Sequence, residues 1–150
     1  MKRRTWIILA AVLVIGAVAF FFVRSAEDKV TADMVSRAER FAIPADWKVE
    51  DNVVRREMFL CMSTNPCPSI AKRWDAGKKL TIDDLKAVSS TAGVPMTIEG
   101  TCTRRPNVGG TTTVCSTSGT DGEYDYKFNV TSPDKDDLTN FVVLLVEPHS

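Results

Sequence analysis

The pattern of apolar and polar positions begins with one long apolar run. From Thr5 to Val23, 19 consecutive positions contain no charged residue. As a helix, this run spans roughly 28 Å, about the thickness of the hydrocarbon core of a bilayer. It is apolar on all sides, which disfavours a surface helix of a soluble domain. The pattern predicts a transmembrane helix over residues 5–23 that contacts the lipid bilayer.

Charged residues before this run indicate its orientation. Lys2, Arg3 and Arg4 precede it, and Lys and Arg are enriched on the cytoplasmic side of transmembrane helices. We therefore expect a single-pass protein of the cell membrane, with a cytoplasmic tail at 1–4 and the rest outside the cytoplasm. The alternative is a signal peptide cut near Ser25, although its apolar core normally has about 7–15 residues. Both interpretations export the same domain.

The segment after the apolar run is predicted to be a helical juxtamembrane stalk over 24–43. Val35, Ala38 and Phe41 recur in it at helical spacing. The proline that follows is expected to end the helix, because its ring fits poorly in a helix interior. We place one extracytoplasmic domain over residues 44–150.

Patterns in that domain predict an α+β fold, with one main helix packed on a sheet of four to five mostly antiparallel strands. The helix is predicted over 82–92, with Thr81 as its N-cap and Gly93 as its stop signal. Shorter helical segments are predicted at 68–74 and 132–139. The predicted strands cover residues 53–61, 96–104, 111–118, 123–130 and 140–147.

Two of these strands predict how the sheet is buried. The strand at 123–130 alternates between polar residues and an apolar set, which predicts one buried face. Residues 141–146 form an unbroken apolar run, which predicts a strand buried on both faces or nearly so. The alternating apolar set consists of Tyr124, Tyr126, Phe128 and Val130.

Four cysteines in the exported region indicate two disulfides. Cys102 and Cys115 are symmetric about a turn at 106–110, so a hairpin there sets them opposite each other. A second hairpin at Asp121-Gly122 sets Cys115 opposite Phe128, on the aromatic face. Because the two turn signals agree on one buried face, we predict a Cys102–Cys115 disulfide.

The other two cysteines, Cys61 and Cys67, are then predicted to close a local loop. A Cys61–Cys102 pairing stays open if the strand at 53–61 neighbours the strand at 96–104. The five residues between Cys61 and Cys67 do not fit the Cys-x-x-Cys spacing of redox pairs.

The remaining chemistry is sparse, and we predict no catalytic residue, no cofactor and no metal site. The single histidine, His149, is expected to be an uninvolved tail residue. Asp134, Asp136 and Asp137 lack the continuation of a calcium-binding loop. The Arg104–Arg105 pair next to the hairpin tip is either solvated surface or a partner contact. Asn129 begins an Asn-Val-Thr glycosylation pattern.

Charge and chemistry together favour a non-enzymatic interaction or accessory module of the cell envelope. From Ser25 onward the chain has 15 basic and 19 acidic residues, a net charge of −4, which disfavours nucleic-acid binding. The expected partner is an envelope protein. The alternative is an enzyme or a small-ligand binder with a groove between helix 82–92 and the sheet, where Tyr124 and Tyr126 are the candidate residues.

Overall fold

The structure, a computed structural model, describes residues 2–58, 67–134 and 139–149. These residues form a long helix, a six-stranded antiparallel sheet and a short helix, so the α+β class is confirmed with six strands instead of four to five. The helices are α1 (Lys2–Ala38) and α2 (Ile82–Ser89), and a 3-10 turn (Ser90–Ala92) continues α2. The strands are β1 (Lys48–Arg55), β2 (Ser69–Asp75), β3 (Met96–Gly100), β4 (Thr112–Thr120), β5 (Tyr124–Ser132) and β6 (Phe141–Pro148).

The strand order across the sheet is β1-β2-β6-β5-β4-β3. The chain lays down β1 and β2 at one edge and then crosses through α2 to the other edge. From there β3, β4, β5 and β6 return as a meander, and β6 closes the sheet by pairing with β2. The centre of the sheet is therefore formed by the last two strands of the chain.

Helix α1 joins the apolar run and the predicted stalk without interruption. It ends at Ala38, before the proline that the sequence analysis takes as its end. Among the described residues, one helix is long and apolar enough by length and composition to cross a membrane, and it is this one. Its later part enters the domain core, where Met34 is 0% exposed. Residues that the sequence assigns to a stalk thus belong to the core.

The core lies on one face of the sheet, beneath both helices. Phe41, just after α1, packs against Tyr126 at 5.5 Å and Phe128 at 5.0 Å between ring centroids. From α2, Leu85 and Val88 are buried in the same cluster. Strand β5 alternates as predicted, with Tyr124, Tyr126, Phe128 and Val130 all buried.

Helix α2 begins as predicted, with a reciprocal cap. The Asp84 backbone N–H donates to the Thr81 hydroxyl at 3.2 Å, and the Thr81 backbone N–H donates to the Asp84 carboxylate at 2.9 Å. This capping box satisfies two N–H groups that the helix leaves free. The α-helix ends at Ser89, and Gly93 follows the 3-10 turn with a φ of 71°.

The short helix predicted at 68–74 is wrong, because these residues form most of strand β2. Ile70 and Trp74 are buried on the same side of β2. Their separation of four residues fits one helix face and one strand face equally well, so the apolar pattern could not distinguish them. Lys72, which lies between them, hides the alternation of the strand.

Strand β1 also differs from its prediction at 53–61, whose last three residues lie outside the described ranges. It covers Lys48–Arg55, at the sheet edge, and every residue before Arg55 is exposed. An exposed edge strand has no apolar alternation for a sequence analysis to detect. The apolar pair Val53-Val54 marked only its final part.

Strand β6 is fully buried on one face and half-buried on the other, which is close to the predicted burial on both faces or nearly so. Val142, Leu144 and Val146 are each 0% exposed, whereas the residues between them are half-buried. The predicted helical turn at 132–139 is not tested over 135–138, which lie outside the described residues. Ser132, the first residue of that predicted segment, is the last residue of β5.

Both hairpins predicted around Cys115 form, with registers displaced by two residues. Cys115 pairs with Gly100 in β3 and with Val130 in β5, instead of with Cys102 and Phe128. Because two residues are one full strand period, the predicted side-chain faces are kept.

The turn between β4 and β5 explains its displacement. Gly122 has a φ of 90° and occupies the first central position, as glycine does in a type II′ turn. Asp121 and Tyr124 flank the central pair, and the Asp121 N–H donates to the Tyr124 carbonyl at 3.2 Å. The predicted turn is centred one residue too early, so each predicted β4–β5 partner is displaced by two residues.

Cys102 and Cys115 form the predicted disulfide, with Cα atoms 4.6 Å apart. Cys102 lies just beyond β3 and adopts a left-handed φ of 55°. Gly100 is needed here, because a Cβ would lie 2.8 Å from the Val114 carbonyl oxygen at a φ of 88°. The bridge therefore closes the loop from the end of β3 onto β4.

Cys67 is also disulfide-bonded. The Cys61–Cys67 pairing stays a prediction, because Cys61 lies outside the described residues.

Replacing both cysteines of the described bridge, Cys102→Ala with Cys115→Ala, is expected to lower the free energy of unfolding by about 2–4 kcal/mol, because the unfolded chain loses a covalent constraint. Chemical denaturation of the full chain in detergent micelles measures this change. Ser118→Ala, at an exposed position of β4, serves as the control and should change it by less than about 0.5 kcal/mol. Free thiols at both cysteines in non-reducing peptide mapping would contradict the bridge.

Candidate functional site

A polar cluster joins helix α1 to the β4–β5 turn. Arg37 Nε lies 2.9 Å from Asp33 Oδ2 on the same helix, and its Nη1 lies 2.8 Å from Asp121 Oδ2 in the turn. Its other terminal nitrogen contacts the Glu123 carboxylate. The guanidinium also covers the Tyr124 ring, 5.0 Å from the ring centroid. We name the group formed by Asp33, Arg37, Asp121, Glu123, Tyr124 and Tyr126 the Arg37 clamp.

Most residues of the Arg37 clamp contact Asp121. The Tyr126 hydroxyl donates to Asp121 Oδ2 at 2.7 Å, and the backbone N–H groups of Glu123 and Tyr124 donate to Oδ1 at 3.1 and 2.9 Å. Burial alone would raise the pKa of Asp121, but the hydrogen bonds from Tyr126, Tyr124 and Arg37 outweigh it and hold this pKa well below its usual range.

The same contact fixes the protonation of Tyr126. Burial, followed by the hydrogen bond to Asp121, raises the pKa of the Tyr126 hydroxyl above its usual value. At neutral pH the carboxylate is therefore charged and the phenol is protonated. Groups whose pKa values lie this far from 7 are poor general acids and bases, so the Arg37 clamp is suited to hold α1 on the sheet.

The two tyrosines proposed from the sequence lie in the core and not in a groove beside α2. Tyr124 and Tyr126 are 3% and 1% exposed, and Phe41 packs on the Tyr126 ring. Leu85 and Val88 of α2 belong to the same core as the two tyrosines. An open cavity of about 840 Å³ does lie between α2 and β3, but neither tyrosine lines it.

An apolar groove of about 510 Å³ lies where α1 meets the ends of β5 and β6. On the α1 side it is lined by Val23, Ala26 and Val30, which share one helix face. Tyr124 and Pro148 line the sheet side. The groove begins at the residue that ends the apolar run. Three carboxylates also line it: Glu27, Glu57 and Glu123.

The second face of the sheet carries an apolar stripe along β6. Phe141, Val143 and Leu145 lie on this face and are half-buried, while the described helices pack on the opposite face. The Arg73 guanidinium lies over the Phe141 ring, 4.2 Å from its centroid, and Lys127 on β5 is exposed. We name this surface the open sheet face. Its apolar centre and polar border are typical of interaction surfaces.

Arg104 and Arg105 have different surroundings. Arg104 donates hydrogen bonds to the carbonyls of Ser132 at 2.9 Å, Val108 at 2.7 Å and Gly110 at 2.5 Å. It therefore organises the loop between β3 and β4. Arg105 is exposed.

The other residues that the sequence analysis weighed are less central. His149 Nδ1 lies 2.8 Å from Asp125 Oδ1 at the surface. Within the described residues, no group of three His, Cys, Asp or Glu side chains is placed to hold a metal ion. Asp136 and Asp137 lie outside those residues. Asn129, the glycosylation candidate, is half-buried on the open sheet face.

The sequence analysis missed the Arg37 clamp, because its parts are far apart in the chain. Arg37 and Asp121 are separated by 84 residues. On a predicted stalk helix, Arg37 is expected to be a solvated surface residue. Asp121, which precedes a glycine, is expected to be a turn residue. No local pattern relates the two.

Comparison with protein-family models, with curated proteins and with solved structures gives no match.

Asp121→Asn is expected to lower the free energy of unfolding by about 1–3 kcal/mol at pH 7, because it removes a charged acceptor from Arg37 and Tyr126. The pKa of Asp121 is depressed in the folded state, so its contribution is complete above the unfolded-state pKa of about 3.9 and is lost as pH falls through the folded-state pKa. The stability difference between the wild-type chain and the variant should therefore shrink below about pH 4.

Denaturation of the full chain in micelles between pH 7 and pH 2 measures this difference. Glu147→Gln, at an exposed carboxylate of β6, is the matched control and should have little effect at any pH. A constant difference between the wild-type chain and Asp121→Asn across the whole range would contradict the role of the charged clamp.

Proposed function

We propose that this chain is a single-pass, membrane-anchored accessory protein of the cell envelope, without enzymatic activity of its own. Its domain lies outside the cytoplasm and binds an envelope protein partner. The observation that carries the proposal is that one helix is both the apolar segment and part of the domain core. Helix α1 runs without a break from Lys2 to Ala38, and Met34 is fully buried in the domain.

A continuous helix fixes the domain relative to the apolar segment. Met34 and Ala38 pack into the core, and Arg37 between them ties α1 to the β4–β5 turn. A flexible linker would let the domain rotate and tilt independently, whereas this connection presents its surfaces in one orientation. Such rigidity suits a protein that holds a partner at a set position on the bilayer.

The proposed orientation has two supports. Lys2, Arg3 and Arg4 precede the apolar run, as on the cytoplasmic side of a transmembrane helix. The Cys102–Cys115 disulfide is typical of proteins in oxidising compartments. An uncut anchor is supported because Ser25, the candidate cleavage position, lies inside α1.

The open sheet face is the surface that we propose for the partner. Phe141, Val143 and Leu145 form its apolar centre, and each is half-buried, whereas the other face of β6 is fully buried. A partner that covers this face would bury them. Arg73 and Lys127 at its border are positioned to form polar contacts around an apolar centre.

A fusion of alkaline phosphatase to the C-terminus is expected to be active in a bacterial host, because that enzyme needs an oxidising compartment. The matched fusion of a cytoplasmic reporter at the same position should be inactive. Tags at both ends should migrate together as one full-length membrane species. Activity of the cytoplasmic reporter alone would contradict the orientation, and separation of the two tags would show a cleaved, secreted form.

Photo-crosslinking in cells tests the partner. A photoreactive residue at Val143 or Leu145 should give an adduct with one envelope protein, because both positions lie on the open sheet face. Lys86 on α2, which is exposed, is the control position and should give no such adduct. An adduct at Lys86 alone would place the partner on another face. An adduct with twice the mass of the chain would show self-association, and no specific adduct at Val143 or Leu145 would overturn the proposal.

A further inference from the structure

A concave site of about 330 Å³ lies between the loop of residues 101–111 and the segment that enters α2. It is at the end of the sheet opposite the apolar groove. Ser132 and Asn140, at the far ends of β5 and β6, line it, whereas Tyr124 and Pro148 at the other ends line the groove. We name this cavity the distal basic site.

Three cations from two separate segments converge on the distal basic site. Lys79 comes from the segment before α2, and Arg104 and Arg105 come from the loop. Among the described residues that line the cavity, there is no carboxylate. Like charges around one concave surface repel each other, and a bound anion removes this repulsion.

Lys79 and Arg105 have N–H groups that can donate hydrogen bonds to a ligand. Lys79 and Arg105 are exposed, and neither has an ion-pair partner among the described residues. The adjacent Lys78, by contrast, lies 2.8 Å from Asp84 and is already paired. The side chains of Lys79 and Arg105 can therefore turn toward a ligand without breaking an ion pair to any described residue.

Arg104 contributes a fixed positive charge. Its terminal nitrogens donate to the carbonyls of Ser132, Val108 and Gly110, and its Nε is buried without a partner among the described residues. Carbonyl oxygens hold the guanidinium in place, but they do not neutralise its charge as a carboxylate would. The wall of the cavity thus has one cation held by hydrogen bonds beside two exposed ones.

We propose that the distal basic site binds an oxyanion of the phosphate type. Lys79 and Arg105 donate N–H groups to the anionic oxygens, since Arg forms paired hydrogen bonds and Lys acts as a point charge. The volume of about 330 Å³ has room for a phosphate with an organic group attached. The assignment depends on these side chains and not on the membrane anchor.

The position of the site favours a soluble phosphate compound over a lipid headgroup. Strand β6 has eight residues, so its ends are roughly 25 Å apart. The apolar run of α1 lies at the end that carries the groove. A bilayer that surrounds that run would therefore place its headgroups near the groove end of the sheet, away from the distal basic site.

Titration of the full chain in zwitterionic micelles with inorganic phosphate, and then with glucose 6-phosphate, tests the proposal. Calorimetry and the Nε–H signals of the arginines follow binding. We expect saturable binding that weakens as sodium chloride is added. Lys79→Gln with Arg105→Gln should weaken it by about tenfold or more, because two charge-assisted hydrogen bonds are lost. Arg104 is left intact, because it holds the loop.

The matched control is Lys86→Gln with Arg40→Gln, which removes one exposed lysine and one exposed arginine elsewhere and should leave phosphate binding unchanged. Thermal unfolding of both double variants checks the fold, and Arg105→Glu serves as a second variant that should abolish binding. An equal loss of binding in both double variants would overturn the site. So would the absence of saturable binding, or binding only to vesicles that contain phosphatidylglycerol.

Discussion

The packing of the second half of α1 on the inner face of the sheet is the contact on which the rest of the structure depends. Met34 and Ala38 belong to the same core as Tyr126 and Phe128 of the central strand β5. Burying a large apolar side chain contributes about 1.5–3 kcal/mol. Without α1, the aromatic side chains of β5 would face water. The sheet therefore needs the helix that continues into the apolar run.

Polar contacts give this packing its direction, since apolar burial alone is not directional. Thr31 lies near one end of the contact, where its hydroxyl accepts the N–H of Glu57 at 3.0 Å. Arg37 lies near the other end and binds Asp121 in the β4–β5 turn. Two attachment points on one helix fix both its rotation and its position along the sheet. The charged state of Asp121, which Tyr126 and Arg37 stabilise, is part of this attachment.

Sequence reasoning succeeded where the deciding pattern was local. The cap at Thr81 and the alternation of β5 depend on neighbouring residues, and the parity argument found the Cys102–Cys115 bridge although both registers were displaced by two. It failed for β2, where the spacing of the apolar residues fits a helix and a strand equally well. It also failed for β1, whose exposed residues show no alternation of apolar and polar positions. It also could not find the Arg37 clamp or the distal basic site, because their charged residues come together only through the order of strands in the sheet.

The distribution of charge shows why the net charge of −4 from Ser25 onward describes this domain poorly. Carboxylates surround the apolar groove at the α1 end of the sheet, whereas Lys79, Arg104 and Arg105 meet at the other end. In the proposed orientation, the α1 end of the sheet faces the bilayer surface, and its carboxylates Glu27 and Glu123 are already paired with Arg24 and Arg37. Because paired and screened charges act weakly over a distance, long-range electrostatics cannot hold the domain upright on the membrane. The continuous helix and its buried contacts must do so, which makes the packing of α1 a condition for presenting the basic end away from the bilayer.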